Sequence, residues 1–215
     1  MEIYDSEEAQ VDAIKSWWKE NYVSILLGLG VGMAVILGWN FWQSYSKTKN
    51  EQASAQFSQL LKAVTENNLK SAEKLAMLTQ EQYPSTAYAD YSGLFEAEIK
   101  AEQGDLAAAK QVLEKLSASS DNAIGNLARI RLVRLMLGSG EFEQALQFIN
   151  KIDPATSVNF AAGYDELVGD IYVALDRRDE ARTAYENAKR KGAQSALLQL
   201  KLDDLTAPET ISNAN

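Results

Sequence analysis

The stretch from Asn21 to Ser46 carries no formal charge, and no other stretch of the chain is like it. Within it, Tyr22–Trp42 reads YVSILLGLGVGMAVILGWNFW and leaves no polar face. A helix rises ~1.5 Å per residue and the hydrocarbon core of a bilayer is ~30 Å thick, so about 20 such residues cross it once. Trp17, Trp18 and Tyr22 flank one end, and Trp39, Phe41, Trp42 and Tyr45 flank the other. Trp18 and Trp39 lie about 31 Å apart on a helix, the spacing of two interfacial aromatic belts. A secretory signal has an apolar core of only ~7–15 residues before a small-x-small cleavage site. Ser44-Tyr45-Ser46 imitates such a site, but bulky aromatics precede it. The expectation is a retained transmembrane anchor over 21–46, preceded by a short acidic segment over 1–20. In that segment Val11, Ile14 and Trp18 share one helical stripe opposite Asp12, Lys15 and Lys19, as in an amphipathic helix lying in the interface before the chain turns inward.

Within the span, Gly28 and Gly32 form a GxxxG pair, and Gly30, Ala34 and Gly38 form a second small-residue row. Small residues admit a neighbouring helix where lipid gives no hydrophobic drive, although glycine is also simply common in membrane helices. Gly28 and Gly32 are the candidate helix–helix contact. Lys15 and Lys19 before the span are nearly matched by Lys47 and Lys49 after it. The positive-inside rule therefore leaves the orientation open.

The chain has 215 residues and a formal net charge of −9. With no strong basic block, it is a poor fit to nucleic acid. It has neither cysteine nor histidine. That removes disulfides, zinc–thiolate sites, Ser-His-Asp and Cys-His catalysis and histidine-ligated metals. Carboxylate-pair and Ser-Lys chemistry survive this test without positive support. No cofactor or metal site is expected.

Beyond the anchor, alanine marks a repeat: Ala72, Ala109, Ala145 and Ala181, at spacings of 37, 36 and 36. Four positions later stand Ala76, Leu113, Ile149 and Tyr185. Five positions before each alanine stand Asn67, Gly104, Gly140 and Asp176, residue types that tolerate a left-handed turn between helices. A fixed period with turn residues at one phase marks a helical-hairpin solenoid. The segments EQGDLAAAKQVLEKL, GSGEFEQALQFINKI and LVGDIYVALDRRDEARTAYENA resemble tetratricopeptide repeats. Gly169 and Tyr172 fall where that repeat wants a small residue and an aromatic, whereas Val133 departs from the small position. The first unit fits only with slipped register. The reading is an all-α protein: one N-terminal transmembrane helix, then a tetratricopeptide-like α-solenoid over 47–205. About four helix pairs fall near 53–83, 87–118, 122–152 and 160–190. A capping helix near 193–204 and a flexible tail over 206–215 complete it.

First helices of such pairs line the inner surface. The candidate partner-binding positions there are Tyr91, Leu94, Leu127, Ile130 and Arg134, with Glu166 and Asp170 in the fourth unit. Tyrosine, aliphatics and one arginine suit an extended or helical peptide. Arg129, Arg131 and Arg134 are placed on different faces, too spread for one anion clamp. Arg177-Arg178, Lys189-Arg190-Lys191 and Asp203-Asp204 are expected to be solvated surface.

The opening MEIYDSEEAQVDAIKSWWKENY, the glycine-rich span and GWNFW resemble the YfgM family, ancillary subunits of the SecYEG translocon. The likeness runs over essentially the whole chain. What the resemblance implies is a bacterial inner-membrane protein with its N-terminus in the cytoplasm and its helical domain in the periplasm. It also implies association with SecYEG and with a PpiD-type membrane-anchored chaperone, and contact with translocating polypeptides. The expected role is a non-enzymatic adaptor that links newly translocated proteins to periplasmic chaperones. The alternatives are a tethered scaffold for soluble signalling or stress-response partners, and an enzyme of unrecognised carboxylate chemistry.

Overall fold

The computed structural model describes residues 7–206, with side chains from Gln10 to Leu205. The chain divides into two units, one up to Gln52 and one from Ala53. Residues 1–6, and everything the expected tail contains beyond Thr206, lie outside the described residues.

Helix α1 runs Glu7–Thr65. In the first unit it carries a candidate membrane span, a window long and apolar enough to cross a bilayer and with none of it buried. The turn expected between the amphipathic segment and the span does not occur. No proline or glycine stands there to break the helix, and the Asn21 side-chain amide donates to the Trp17 carbonyl at 2.8 Å, inside the helix. The Trp39 and Trp42 rings meet one turn apart, tilted by 41° with centroids 5.4 Å from each other.

In the second unit the last turns of α1 are followed by α2 (Leu69–Gln82), α3 (Ala87–Glu102), α4 (Leu106–Ser117), α5 (Asn122–Gly138) and α6 (Phe142–Asn150). Two 3-10 turns, Pro154–Thr156 and Val158–Phe160, lead into α7 (Ala161–Ala174), α8 (Arg178–Arg190) and α9 (Ala196–Thr206). The described residues contain no strand. Consecutive helices pack on each other from α2 to α9, and α3 also touches α5, as α5 touches α7. The first helices thus form one layer and the second helices another.

One turn design repeats. Asn67 (φ 54°), Gly104 (φ 84°), Gly140 (φ 76°) and Asp176 (φ 57°) are all left-handed. At each, the next residue's N–H donates five residues back: Asn68 to Ala63, Asp105 to Lys100, Glu141 to Met136 and Arg177 to Tyr172. The left-handed residue itself donates three back, which completes a Schellman cap. The first unit shares this turn with the others, so its register is not slipped. Asn68 and Asp105 then cap the following helices by accepting from the N–H groups of Ser71 and Ala108. Asp121 does the same for α5, and Ser195 for α9.

Ala72, Ala109, Ala145 and Ala181 are all fully buried. Each stands one turn past a Schellman cap, where the second helix crosses the first. A methyl group keeps that crossing close. Deeper in each pair the facing residues exchange bulk. Leu60 opposes Ala76, Ala97 opposes Leu113, Val133 opposes Ile149 and Gly169 opposes Tyr185; each first-named residue is buried. Val133 is therefore no misfit, because its partner is aliphatic rather than aromatic. In the last pair the trade is complete: a Cβ on Gly169 would lie 2.2 Å from Tyr185 Cε1.

Candidate partner-binding surfaces

Two surfaces of the second unit carry exposed, chemically distinctive side chains, and both lie on first helices. On α3, Tyr91 and Glu98 are exposed along one stripe. The Tyr91 ring packs 6.1 Å from Phe57, which also contacts Tyr88 at 5.6 Å and Phe95 at 5.8 Å. Four rings thus make an aromatic platform with Tyr91, 43% exposed, at its surface. On α5, Arg134 is exposed, while Leu127 and Ile130 are half-buried against the core.

Between them runs a groove of about 430 Å³ whose lining includes Ala97, Ala101, Leu113 and Leu135 together with Arg131 and Arg134. Arg131 Nη1 donates to the Leu94 carbonyl and to Glu98 Oε2, each at 3.1 Å. Arg131 is held in place as a strut between α3 and α5. Arg134 makes no ion pair among the described residues, so its guanidinium is available to a ligand. Arg131 and Arg134 border the same groove, which corrects their assignment to different faces. Three residues apart on a helix, they are near neighbours. Arg129 points elsewhere, toward Tyr164.

Leu94 is not a surface residue. It is 3% exposed in the largest core cluster, because its helical phase turns it toward α4 and α5 rather than along the Tyr91–Glu98 stripe. Glu166 and Asp170 are not open to a partner either. Lys201 of α9 reaches both, at 2.9 Å and 2.7 Å, and the Tyr185 hydroxyl donates to Asp170 at 2.7 Å. Burial works against the Lys201 charge, but the hydrogen bonds to Asp170 and Glu166 outweigh it and raise the Lys201 pKa. Burial, reinforced by the Asp170 carboxylate, pushes the Tyr185 phenol up as well. This polar cluster is a clasp that fastens α9 over the inner side of α7.

A second buried polar knot lies at the other end of α5. Asn126 is fully buried; its amide donates to the Asn122 and Thr156 carbonyls, and its oxygen accepts from the Tyr164 hydroxyl at 2.8 Å. Burial pushes the Tyr164 phenol up to about 12 against the pull of Arg129. The knot fixes the 3-10 segment between α6 and α7. Its signal in the sequence was a polar residue at a core phase of an apolar helix, between Gly125 and Leu127.

In the first unit nothing lies within 4 Å of a Cβ built at Gly28, Gly30, Gly32 or Gly38. They fall in two small-residue rows on α1, Gly28 with Gly32 and Gly30 with Ala34 and Gly38.

A stack of capped helix pairs behind a candidate membrane span defines a class: an anchored helical-repeat protein whose exposed chemistry suits contact with other macromolecules. Residues 15–207 match the family described as "Tetratricopeptide repeat-like domain", and the chain belongs to that family. It is 29% identical over 202 residues to a protein of Haemophilus influenzae, covering 93% of this chain and 97% of the relative. Identity is 27% over the same shares with a relative from Aggregatibacter actinomycetemcomitans. It is 26% over 212 residues with one from Escherichia coli K12, 96% of this chain and all of that protein. Each of these relatives is named "Ancillary SecYEG translocon subunit". The likeness to that family drawn from the opening residues therefore holds. A crystal structure of a tetratricopeptide repeat protein from Parabacteroides merdae superposes with a TM-score of 0.57 at 18% identity. It covers 72% of this chain and 59% of its own, and the likeness is one of fold.

Proposed function

We propose that this protein is a non-enzymatic adaptor of the SecYEG translocon in the bacterial inner membrane. The span holds about four tetratricopeptide-like helix pairs and a capping helix beside the channel. Its N-terminus is cytoplasmic and its helical domain periplasmic. The domain links newly translocated polypeptides to a periplasmic chaperone of the PpiD type. The observation that carries this reading is similarity along nearly the full length to proteins named as ancillary translocon subunits. Tethering supplies the mechanism. Two partners on one membrane meet at high effective concentration, so an interface of modest affinity suffices. The span contributes Gly28 and Gly32 as a lateral contact with another helix. The domain contributes Tyr91 and Arg134, flanked by Leu127 and Ile130.

Isolation of the intact protein from detergent-solubilised membranes tests the assignment. Translocon subunits and a membrane-anchored chaperone are expected to come with it. Recovery of the full-length protein in the soluble lysate, or its isolation from membranes without translocon subunits, overturns it. An alkaline phosphatase fusion after Asn215 tests the orientation, since that enzyme is active only outside the cytoplasm.

A further inference from the structure

Resting on the adaptor reading above, we propose that the face between α3 and α5 takes an extended peptide segment with a large apolar side chain and, about four residues along, a carboxylate. The apolar side chain lies on Tyr91 and the carboxylate pairs with Arg134.

Charge selects the ligand. The chain as a whole is acidic, with a formal net charge of −9. The groove reverses that locally. Arg131 already satisfies Glu98 at 3.1 Å, so the one charge left unmatched on the rim is the exposed guanidinium of Arg134. A planar guanidinium with free N–H donors is suited to bidentate pairing with a carboxylate. A lysine in the ligand would meet that charge with repulsion.

Distance sets the spacing. Tyr91 and Ala101 are ten residues apart on α3, about 15 Å at ~1.5 Å per residue. Ala101 borders the groove with Arg134. An extended chain at ~3.3 Å per residue covers that distance in about four to five residues. Apart from Arg134 and the Arg131–Glu98 pair, whose charges already meet each other, the groove is lined by Ala97, Ala101, Ala109, Leu113 and Leu135, all apolar. Tyr91 is held by Phe57 from below, so docking an apolar side chain on its ring orders little that is not already ordered.

The test uses the full-length protein in lipid nanodiscs and a fluorescent dodecapeptide carrying one phenylalanine and one aspartate four positions apart in a serine–glycine background. Anisotropy titration is expected to give binding about tenfold tighter than for the peptide with asparagine in place of aspartate. Moving the two anchors to adjacent positions weakens binding to a similar degree. Arg134→Glu, an exposed position whose change leaves the helical circular dichroism intact, is expected to abolish the preference for aspartate and to prefer a lysine peptide instead. Arg134→Lys retains a smaller preference for aspartate. Equal binding of the aspartate and asparagine peptides to the unmodified protein overturns the proposal, as does an Arg134→Glu protein that still prefers aspartate. Co-isolation of translocon subunits is scored on the same preparation. Intact co-isolation beside a missing peptide preference overturns the carboxylate site alone.

Discussion

The glycines of α1 and Gly169 of the helical domain serve opposite physical ends. Around Gly28, Gly30, Gly32 and Gly38 there is open space; a side chain at any of them would meet nothing within 4 Å. At Gly169 a single added carbon would collide with the Tyr185 ring at 2.2 Å. The same residue type thus stands on a helix face that no other side chain of the chain approaches in one unit, and in a close helix–helix contact in the other. The apolar side chains divide the same way. Leu27, Leu29 and Leu37 are each above 60% exposed, whereas Leu60, Leu132 and Ile171 are fully buried. Water cannot tolerate the first arrangement over a whole helix, and lipid can. The second arrangement is what makes a water-facing core.

The largest expected effect breaks the filled contact. Gly169→Ala gains up to ~1 kcal/mol of helix preference but overpacks the core, a change that costs about 1–3 kcal/mol and more where the neighbour is pinned. Tyr185 is pinned: it is 2% exposed and its hydroxyl is tied to Asp170. Urea unfolding is expected to show a net loss. Adding Tyr185→Leu to Gly169→Ala copies the Ala97–Leu113 pair and is expected to recover most of it. Failure of the double variant to recover would mean that bulk exchange between facing positions is not what sets helix spacing.

Next in size is the buried knot. Asn126→Ala leaves the Thr156 carbonyl and the Tyr164 hydroxyl without their partner, and unsatisfied buried groups cost about 1–3 kcal/mol. The loss is expected to concentrate between α6 and α7, read as faster amide exchange at Ser157 and Phe160. Asn126→Asp distinguishes lost bonding from lost volume, since it keeps the size and removes the two donors.

These two sites also show what was legible in the residues themselves. The alanine phase and the four left-handed turns between paired helices followed from local rules that each residue type obeys wherever it stands. The Gly169–Tyr185 collision was half visible, as a small residue at a known position. Its partner was not, because bulk exchange across a crossing pairs residues sixteen positions apart. The candidate partner face was read less well for the same reason. Tyr91 and Arg134 are exposed, but Leu94 is core, and Glu166 and Asp170 are covered by Lys201. Helical periodicity locates a stripe without saying which neighbour covers it. The continuous α1 escaped the reading because the amphipathic segment and the span were judged by polarity, which does not end a helix.

The α9 clasp gives a smaller effect, confined to alkaline pH. Lys201 has a raised pKa in the folded state, so the folded protein holds that proton more tightly than the unfolded chain. The resulting stability is complete below the unfolded lysine value near ~10.5 and is lost as pH rises through the folded value. Tyr185, also raised, acts in the same direction from about pH 10 upward. Thermal unfolding of the unmodified protein is expected to change little between neutrality and that range, then to fall. In Lys201→Met the part of that fall due to the lysine is absent. An unchanged alkaline profile in the variant would show that Glu166 and Asp170 are held by something other than this ammonium.

The smallest effect on folding falls on the open face of α1, and it sharpens the comparison most. Gly28→Leu with Gly32→Leu fills vacant space, so nothing is displaced, and each change favours the helix by up to ~1 kcal/mol. Membrane retention and the unfolding of the helical domain are expected to be unchanged. If that face takes a neighbouring helix, leucines there prevent the close approach that glycine allows. Photo-crosslinking from Leu29 in native membranes is then expected to lose its partner in the double variant, while crosslinking from Leu37 to lipid persists. Equal capture with and without the leucines would mean that the glycine face is empty in the membrane as well, and that these glycines report only the tolerance of lipid-exposed helices.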